Sequence, residues 1–91
     1  MGDWYLYIIR CHDGTLYTGT TTDVERRLAE HSAGKGARYL KGRSPLTLVL
    51  QHRIGDKGLA LRAEARVKRL SRQNKEKLVS DPSSFEAFLQ A

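Results

Sequence analysis

The sequence predicts an α+β domain in which a three-stranded, mostly antiparallel sheet is flanked by helices, in the order β-β-α-β-α-α-α. Residues 4–20 are rich in aromatic and β-branched side chains, and the Asp13-Gly14 pair among them is a strong hairpin signal. After residue 20 the chain shows helix-capping residues and apolar residues at helical spacing, with one further strand pattern between the predicted helices. A chain of 91 residues has room for a single domain, which we expect to span residues 1–91.

The hairpin has two possible turns. A two-residue Asp13-Gly14 turn would pair Arg10 with Tyr17 and put Tyr7 and Tyr17 on opposite faces of the sheet. A three-residue loop, His12-Asp13-Gly14 with a left-handed Gly14, would instead put the two tyrosines on the same face. The sequence permits both turns, and any joint role for the tyrosines requires the second.

The predicted first helix runs from about Asp23 to Ser32 and ends at Gly34. Thr22 and Glu25 have the spacing of a capping box, with Thr22 as the N-cap. Arg27 and His31 lie one turn apart at the edge of the apolar stripe, so both should face the sheet.

The second half of the chain predicts a strand and three helices. Leu46 to Arg53 alternates as a strand should, with Leu46, Leu48 and Leu50 expected on one face. Asp56 should cap a helix that reaches about Leu70, and two shorter helices should follow at 71–80 and after Asp81-Pro82. The apolar side chains expected to pack inward from the helices are Leu59, Ala63, Val67, Leu70, Leu78, Val79, Phe85, Phe88 and Leu89.

The charge distribution indicates a polyanionic partner. The net charge is +6, and residues 35–72 contain eleven Lys or Arg against two acids. Such a block suits a nucleic acid, because neutralising phosphates releases condensed counterions. The glycine-rich stretch 34–45 reads as a mobile basic loop, but it lacks the ending of a nucleotide-binding P-loop.

Other features of the sequence indicate a cytoplasmic protein. No apolar run is long enough for a membrane span, and the start lacks the pattern of a signal peptide. The single cysteine, Cys11, excludes an internal disulfide and fits a reducing compartment.

Five residues could together hydrolyse a phosphodiester, which needs a deprotonated nucleophile, charge neutralisation and help for the leaving oxygen. A tyrosine, a cation, an imidazole and one metal-holding carboxylate could supply these functions. One carboxylate suffices for magnesium, which keeps most of its waters. The candidates in this sequence are Tyr7, Tyr17, Arg27, His31 and Glu64.

Four segments in this order resemble the GIY-YIG nuclease superfamily, in particular its small stand-alone bacterial members. The resemblance extends to about Leu78. Tyr5 stands where the first motif has its glycine, and Leu6 and Thr18 replace isoleucines. The segments are YLY at 5–7, YTG at 17–19, TTDVERRLAEH at 21–31 and ALRAEARVK at 60–68.

The resemblance implies a role for each candidate. Tyr7 would act as the general base or activate the attacking water, and Tyr17 would position that water or the phosphate. Arg27 would stabilise the transition state, while His31 would orient a tyrosine hydroxyl or serve as an alternative base. Glu64 would hold one Mg²⁺ or Mn²⁺ ion.

The resemblance also implies how the nucleic acid would be held. Gly19 would allow close approach of the backbone at the site. Without a further binding domain, the grip would come mainly from the basic loop, through Lys35, Arg38, Lys41 and Arg43, with Lys68 beside the site.

We therefore expect a metal-dependent endonuclease that acts on DNA rather than RNA, without sequence specificity or with a preference for particular structures, in DNA repair or processing. We expect a monomer. Two alternatives remain open: a non-catalytic nucleic-acid-binding module and an accessory protein of a repair complex.

Overall fold

The predicted fold class is confirmed by the computed structural model, which describes residues 2–90. Strand β1 lies in the middle of an antiparallel sheet of order β2-β1-β3. The strands are β1 (Trp4–Arg10), β2 (Leu16–Thr21) and β3 (Thr47–Gly55). The helices are α1 (Val24–Ser32), α2 (Lys57–Lys68), α3 (Arg72–Ser80) and α4 (Ser83–Gln90), with a 3-10 turn at Arg38–Leu40.

The hairpin between β1 and β2 has the three-residue loop, which settles the open alternative. The Cys11 amide donates to the Thr15 carbonyl, and the Gly14 amide donates to the Cys11 carbonyl, both at 2.9 Å. Gly14 adopts a φ of +87°, the left-handed region that glycine enters without steric cost. In the resulting register Tyr7 pairs with Gly19 and Ile9 pairs with Tyr17, so the two tyrosines share a face.

Two apolar clusters cover the two faces of the sheet. On one face Leu6 and Ile8 pack against Ala63 and Val67 of α2 and against Phe85 of α4. On the other face Tyr7, Ile9 and Cys11 pack with Val24 of α1 and Leu40 of the 3-10 turn. Helices therefore flank both sides, and β2 and β3 form the edges of the sheet.

The expectation that Leu46, Leu48 and Leu50 share one face of the third strand is wrong. Ile8 pairs with Leu50 and the next residue, Ile9, pairs with Leu48, so Val49 is an extra residue in a bulge. The bulge puts Leu50 into the cluster beneath α2, while Leu46 and Leu48 pack in the cluster beneath α1.

The N-cap expected for α1 is also wrong. Asp23, rather than Thr22, caps the helix: its carboxylate accepts from the Arg26 amide at 3.0 Å. Thr21 fixes this start, because its hydroxyl accepts from the Asp23 amide at 3.1 Å. Glu25 is then the second helical residue, which does not give the predicted capping-box spacing.

The apolar stripe of α2 is centred differently from the prediction. Ala60, Ala63 and Val67 are buried, but Leu59 is 52% exposed. Asp56 caps the helix as predicted, and its carboxylate accepts from the Leu59 amide. Leu59 thus belongs to the exposed first turn, since the small Ala60 side chain is the one that faces the sheet.

The basic segment 34–45 is anchored at its centre. Leu40 of the 3-10 turn is 1% exposed, and its burial fixes the middle of the segment against the sheet. Within residues 2–90, no helix is long and apolar enough to cross a membrane.

The loop geometry gives a direct test at Gly14. We expect Gly14→Ala to lower the free energy of unfolding by about 1 kcal/mol, because alanine is strained at a positive φ. Gly14→Asn is the matched control and should lose clearly less, since asparagine tolerates this conformation. Urea denaturation of the three proteins measures both; equal losses would contradict the three-residue loop.

Candidate active site

The candidate site is organised by the Tyr7 side chain, which lies across Gly19 of the neighbouring strand. A Cβ added at Gly19 would lie 2.6 Å from Tyr7 Cζ, a distance that real side chains do not adopt. Because β2 is the edge strand, crossing Gly19 carries the phenol of Tyr7 to the edge of the sheet. Gly19 was expected to let a nucleic-acid backbone approach, whereas in this structure it makes room for Tyr7.

The Tyr7 hydroxyl contacts His31 of α1. Tyr7 Oη and His31 Nε2 are 2.9 Å apart, and this hydrogen bond is buried. Tyr17 completes an aromatic group, with ring centroids 6.5 Å from Tyr7 and 5.6 Å from His31. The hairpin and α1 thus bring together three of the five candidate residues.

His31 is held on its other side by the basic segment. Its ring is 2% exposed, and the backbone amide of Ala37 donates to Nδ1 at 3.0 Å. Gly36 lies directly against the ring, and a Cβ at this position would be 2.8 Å from Cε1.

Burial dominates the electrostatics of the Tyr7–His31 pair. It raises the pKa of Tyr7 to about 12, helped by Tyr17 and partly offset by the Arg27 guanidinium. Burial and the nearby Arg27 charge together lower the pKa of His31 below its ordinary value. At neutral pH the free protein therefore holds a protonated phenol next to a neutral imidazole.

Arg27 lies near Tyr7 and is oriented by Glu30, which sequence reasoning did not assign to the site. Arg27 Nη1 and Glu30 Oε1 are 3.0 Å apart, and the Arg27 side chain remains 36% exposed. The i,i+3 spacing of the two residues is the signal that could have found this pair. With Arg26, Glu30 makes only a longer contact of 3.9 Å.

Glu64 approaches the site from the opposite face of the sheet. It belongs to α2, and its Oε1 accepts from the Thr20 hydroxyl at 2.9 Å. Thr20 flanks Gly19 on the edge strand, so the site spans this edge rather than lying on one face. The Glu64 carboxylate is nevertheless close enough to raise the pKa of Tyr7.

Glu64 offers a single carboxylate to a divalent ion, and both of its oxygens have protein partners in this structure. Its side chain is 18% exposed, and Oε2 is paired with Lys68 Nζ at 2.7 Å. Among residues 2–90 no three His, Cys, Asp or Glu side chains form a metal-binding group. A site with a single carboxylate suits Mg²⁺ or Mn²⁺, which can take their other ligands from water and phosphate.

The five cations expected to grip a nucleic acid fall into two groups. Lys35, Arg38 and Lys41 are exposed, and no ion pair found within residues 2–90 involves them. Arg43 instead pairs with Asp13 at 2.6 Å, and Lys68 pairs with Glu64.

A second feature that sequence reasoning did not assign is a shallow depression beside Tyr17. Tyr39 stacks on Tyr17 at 5.9 Å between ring centroids and is 46% exposed. Lys68 of α2 and Lys75 of α3 line the same depression. The position of Lys75 depends on how α3 packs, which the local sequence does not indicate.

The crossing of Tyr7 over Gly19 can be tested by a double-mutant cycle. We expect Gly19→Ala to lower the free energy of unfolding by about 1–3 kcal/mol, because the new methyl overlaps the Tyr7 ring. In a Tyr7→Leu background most of this cost should disappear, since the ring is absent. Urea denaturation of the four proteins gives the coupling energy; additive effects would contradict the crossing.

Similar sequences occur in bacteria. The GIY-YIG catalytic domain family matches residues 3–77. The UPF0213 protein of Citrobacter koseri is 52% identical over 89 residues, which cover 98% of this chain and 89% of that protein. The UPF0213 protein YhbQ of Escherichia coli is 53% identical over the same shares of the two chains.

Two solution NMR structures are also similar. The UPF0213 protein BH0048 of Bacillus halodurans is 51% identical with a TM-score of 0.57, covering 86% of this chain and 83% of that one. The protein EF2693 of E. faecalis is 38% identical with a TM-score of 0.63, covering 88% and 85%. From the extent of the family match and the identity of these relatives, the chain belongs to the GIY-YIG family.

Proposed function

We propose that this protein is a divalent-metal-dependent endonuclease that hydrolyses phosphodiester bonds of DNA. One observation carries the proposal: the buried Tyr7 hydroxyl contacts His31 and lies within electrostatic reach of both Arg27 and Glu64. A structural tyrosine needs neither a carboxylate nor a cation within electrostatic reach of its hydroxyl. Because the chain belongs to a nuclease family, phosphodiester hydrolysis is the reaction that these residues would perform.

Tyr7 is the general base of the proposed reaction. It would take a proton from the attacking water at Oη, for which it must first lose its own proton. With a pKa of about 12, only on the order of 1 in 10⁵ molecules holds the phenolate at pH 7. Additional positive charge near Oη would raise that fraction, and Arg27 already acts in this direction.

Glu64 is the residue that would hold the divalent ion. The ion would supply positive charge for the scissile phosphate and for a bound water. Lys68 now neutralises Glu64 and would have to leave Oε2 when the ion binds. Arg27 is exposed enough to reach a phosphate while Glu30 orients it, so it would stabilise the negative charge of the transition state.

The DNA grip would come chiefly from Lys35, Arg38 and Lys41, which are exposed near the site. Contacts between these cations and phosphates hold the DNA backbone in place but do not read the base sequence. Binding should therefore be weak, salt-sensitive and non-specific or structure-selective. DNA in preference to RNA, a monomeric state, a cytoplasmic location and a role in DNA repair complete the proposal.

A non-catalytic DNA-binding module is the second candidate function. Two observations favour it: Glu64 is paired with Lys68, and the pKa of Tyr7 is high. Both leave the proposed metal ligand and the proposed base in unreactive forms. Such a module would bind DNA without turnover and without need of a metal ion.

Cleavage assays with purified protein distinguish the two functions. With Mg²⁺ or Mn²⁺ and labelled branched, single-stranded and duplex DNA, we expect cleavage that Tyr7→Phe and Glu64→Ala each reduce at least about 100-fold. Loss of the proton acceptor or of the metal ligand removes a step that binding alone does not need.

Arg53→Ala is the matched control, because Arg53 is an exposed cation that pairs only with Asp3 in the described chain. It should cleave like the wild type. Equal cleavage by wild type, Tyr7→Phe and Glu64→Ala would contradict the enzyme. Metal-independent binding without cleavage, weakened by Lys41→Ala, would instead support the binding module.

A further inference from the structure

The His31 ring is hydrogen-bonded at both nitrogens by groups from different parts of the chain. Nδ1 lies 3.0 Å from the Ala37 backbone nitrogen in the basic segment, and Nε2 lies 2.9 Å from Tyr7 Oη in β1. The ring is buried, so these partners are not exchanged with water. Each nitrogen therefore has one defined partner.

The Ala37 contact fixes where the imidazole proton lies. A backbone N–H can only donate, so Nδ1 must offer its lone pair. A neutral ring with a free lone pair on Nδ1 carries its proton on Nε2. That proton points at Tyr7 Oη, which is then the acceptor.

We propose that the Ala37 amide is a positioning group that holds His31 in the Nε2–H tautomer, so that His31 donates a hydrogen bond to Tyr7. The one lone pair of the His31 ring, on Nδ1, is then engaged by the Ala37 amide, on the opposite side of the ring from the Nε2 that faces Tyr7. This assigns His31 as an orienting group and not as an alternative base. A donor aimed at Tyr7 Oη stabilises the phenolate more than the phenol. This consequence for catalysis rests on the proposed function, whereas the tautomer itself does not.

Gly36 makes the contact possible. A Cβ at this position would overlap the imidazole, so only glycine lets the chain pass close enough for the next amide to reach Nδ1. The same segment carries Lys35, Arg38 and Lys41, the cations proposed to hold the DNA. Two hydrogen bonds, from Ala37 to His31 and from His31 to Tyr7, thus connect the DNA grip with the proposed base.

Ring nitrogen NMR of ¹⁵N-labelled wild type tests the tautomer without any substrate. At pH 8 we expect His31 to show an unprotonated Nδ1 and a protonated Nε2, with a scalar coupling between the Ala37 amide nitrogen and Nδ1. The exposed His12 serves as a reference ring in the same spectrum. A protonated Nδ1, or no coupling to Ala37, would overturn the proposal.

Ala37→Pro removes the donor, and because the proline Cδ takes the place of the amide hydrogen, the imidazole must also move away from position 37. Ala37 has a φ of −61°, the value that proline requires, and its carbonyl still accepts from the Leu40 amide. We expect the ratio of Nε2–H to Nδ1–H tautomer to fall about tenfold, the equivalent of one hydrogen bond. Ala37→Ser keeps the amide and should keep the ratio; an unchanged ratio in folded Ala37→Pro would overturn the proposal.

The catalytic consequence has its own readout. In the cleavage assay Ala37→Pro should lower kcat about tenfold while KM for DNA changes less than about twofold. Should the wild type bind DNA without cleaving it, the proposed function fails but the tautomer result stands. Should Ala37→Pro fail to fold, the wild-type coupling alone decides.

Discussion

The phenol ring of Tyr7 lies across Gly19, and the rest of the site depends on that contact. It requires an in-register pairing of β1 with β2 and a glycine where every other residue would overlap the ring. It also requires β2 to be an edge strand, because a further strand would cover the position that the hydroxyl reaches. These conditions place one hydroxyl at the meeting point of α1, α2 and the basic segment.

Electrostatically, the arrangement holds Tyr7 in an unreactive state. Burial raises the pKa of Tyr7, Lys68 neutralises Glu64, and Glu30 pairs with Arg27. A bound divalent ion could displace Lys68 from Glu64, and a phosphate could displace Glu30 from Arg27, because both carry larger charges. The free protein thus has its charges paired internally, and the proposed nuclease would have to exchange these pairs for a metal ion and a phosphate.

The sequence predicted the element order, since hairpin, caps and apolar spacing are local signals. It left the turn open because both loops are sterically allowed, and only the pairing along the whole strand selects one. The bulge at Val49 and the exposure of Leu59 depend on how β3 and α2 meet the core, which no local pattern encodes. The candidate side chains were found by residue type and by the resemblance to the GIY-YIG nucleases, but no sequence pattern indicates a role for the Ala37 backbone amide.

Titration of the Tyr7 phenol tests the account most directly. With ¹³Cζ-labelled tyrosine, NMR follows each of the four tyrosines separately as the pH rises. A phenol buried across Gly19 should stay protonated past pH 11, in keeping with a pKa of about 12. A Tyr7 resonance that titrates near the ordinary value of about 10 would show a hydroxyl in water and would contradict the account.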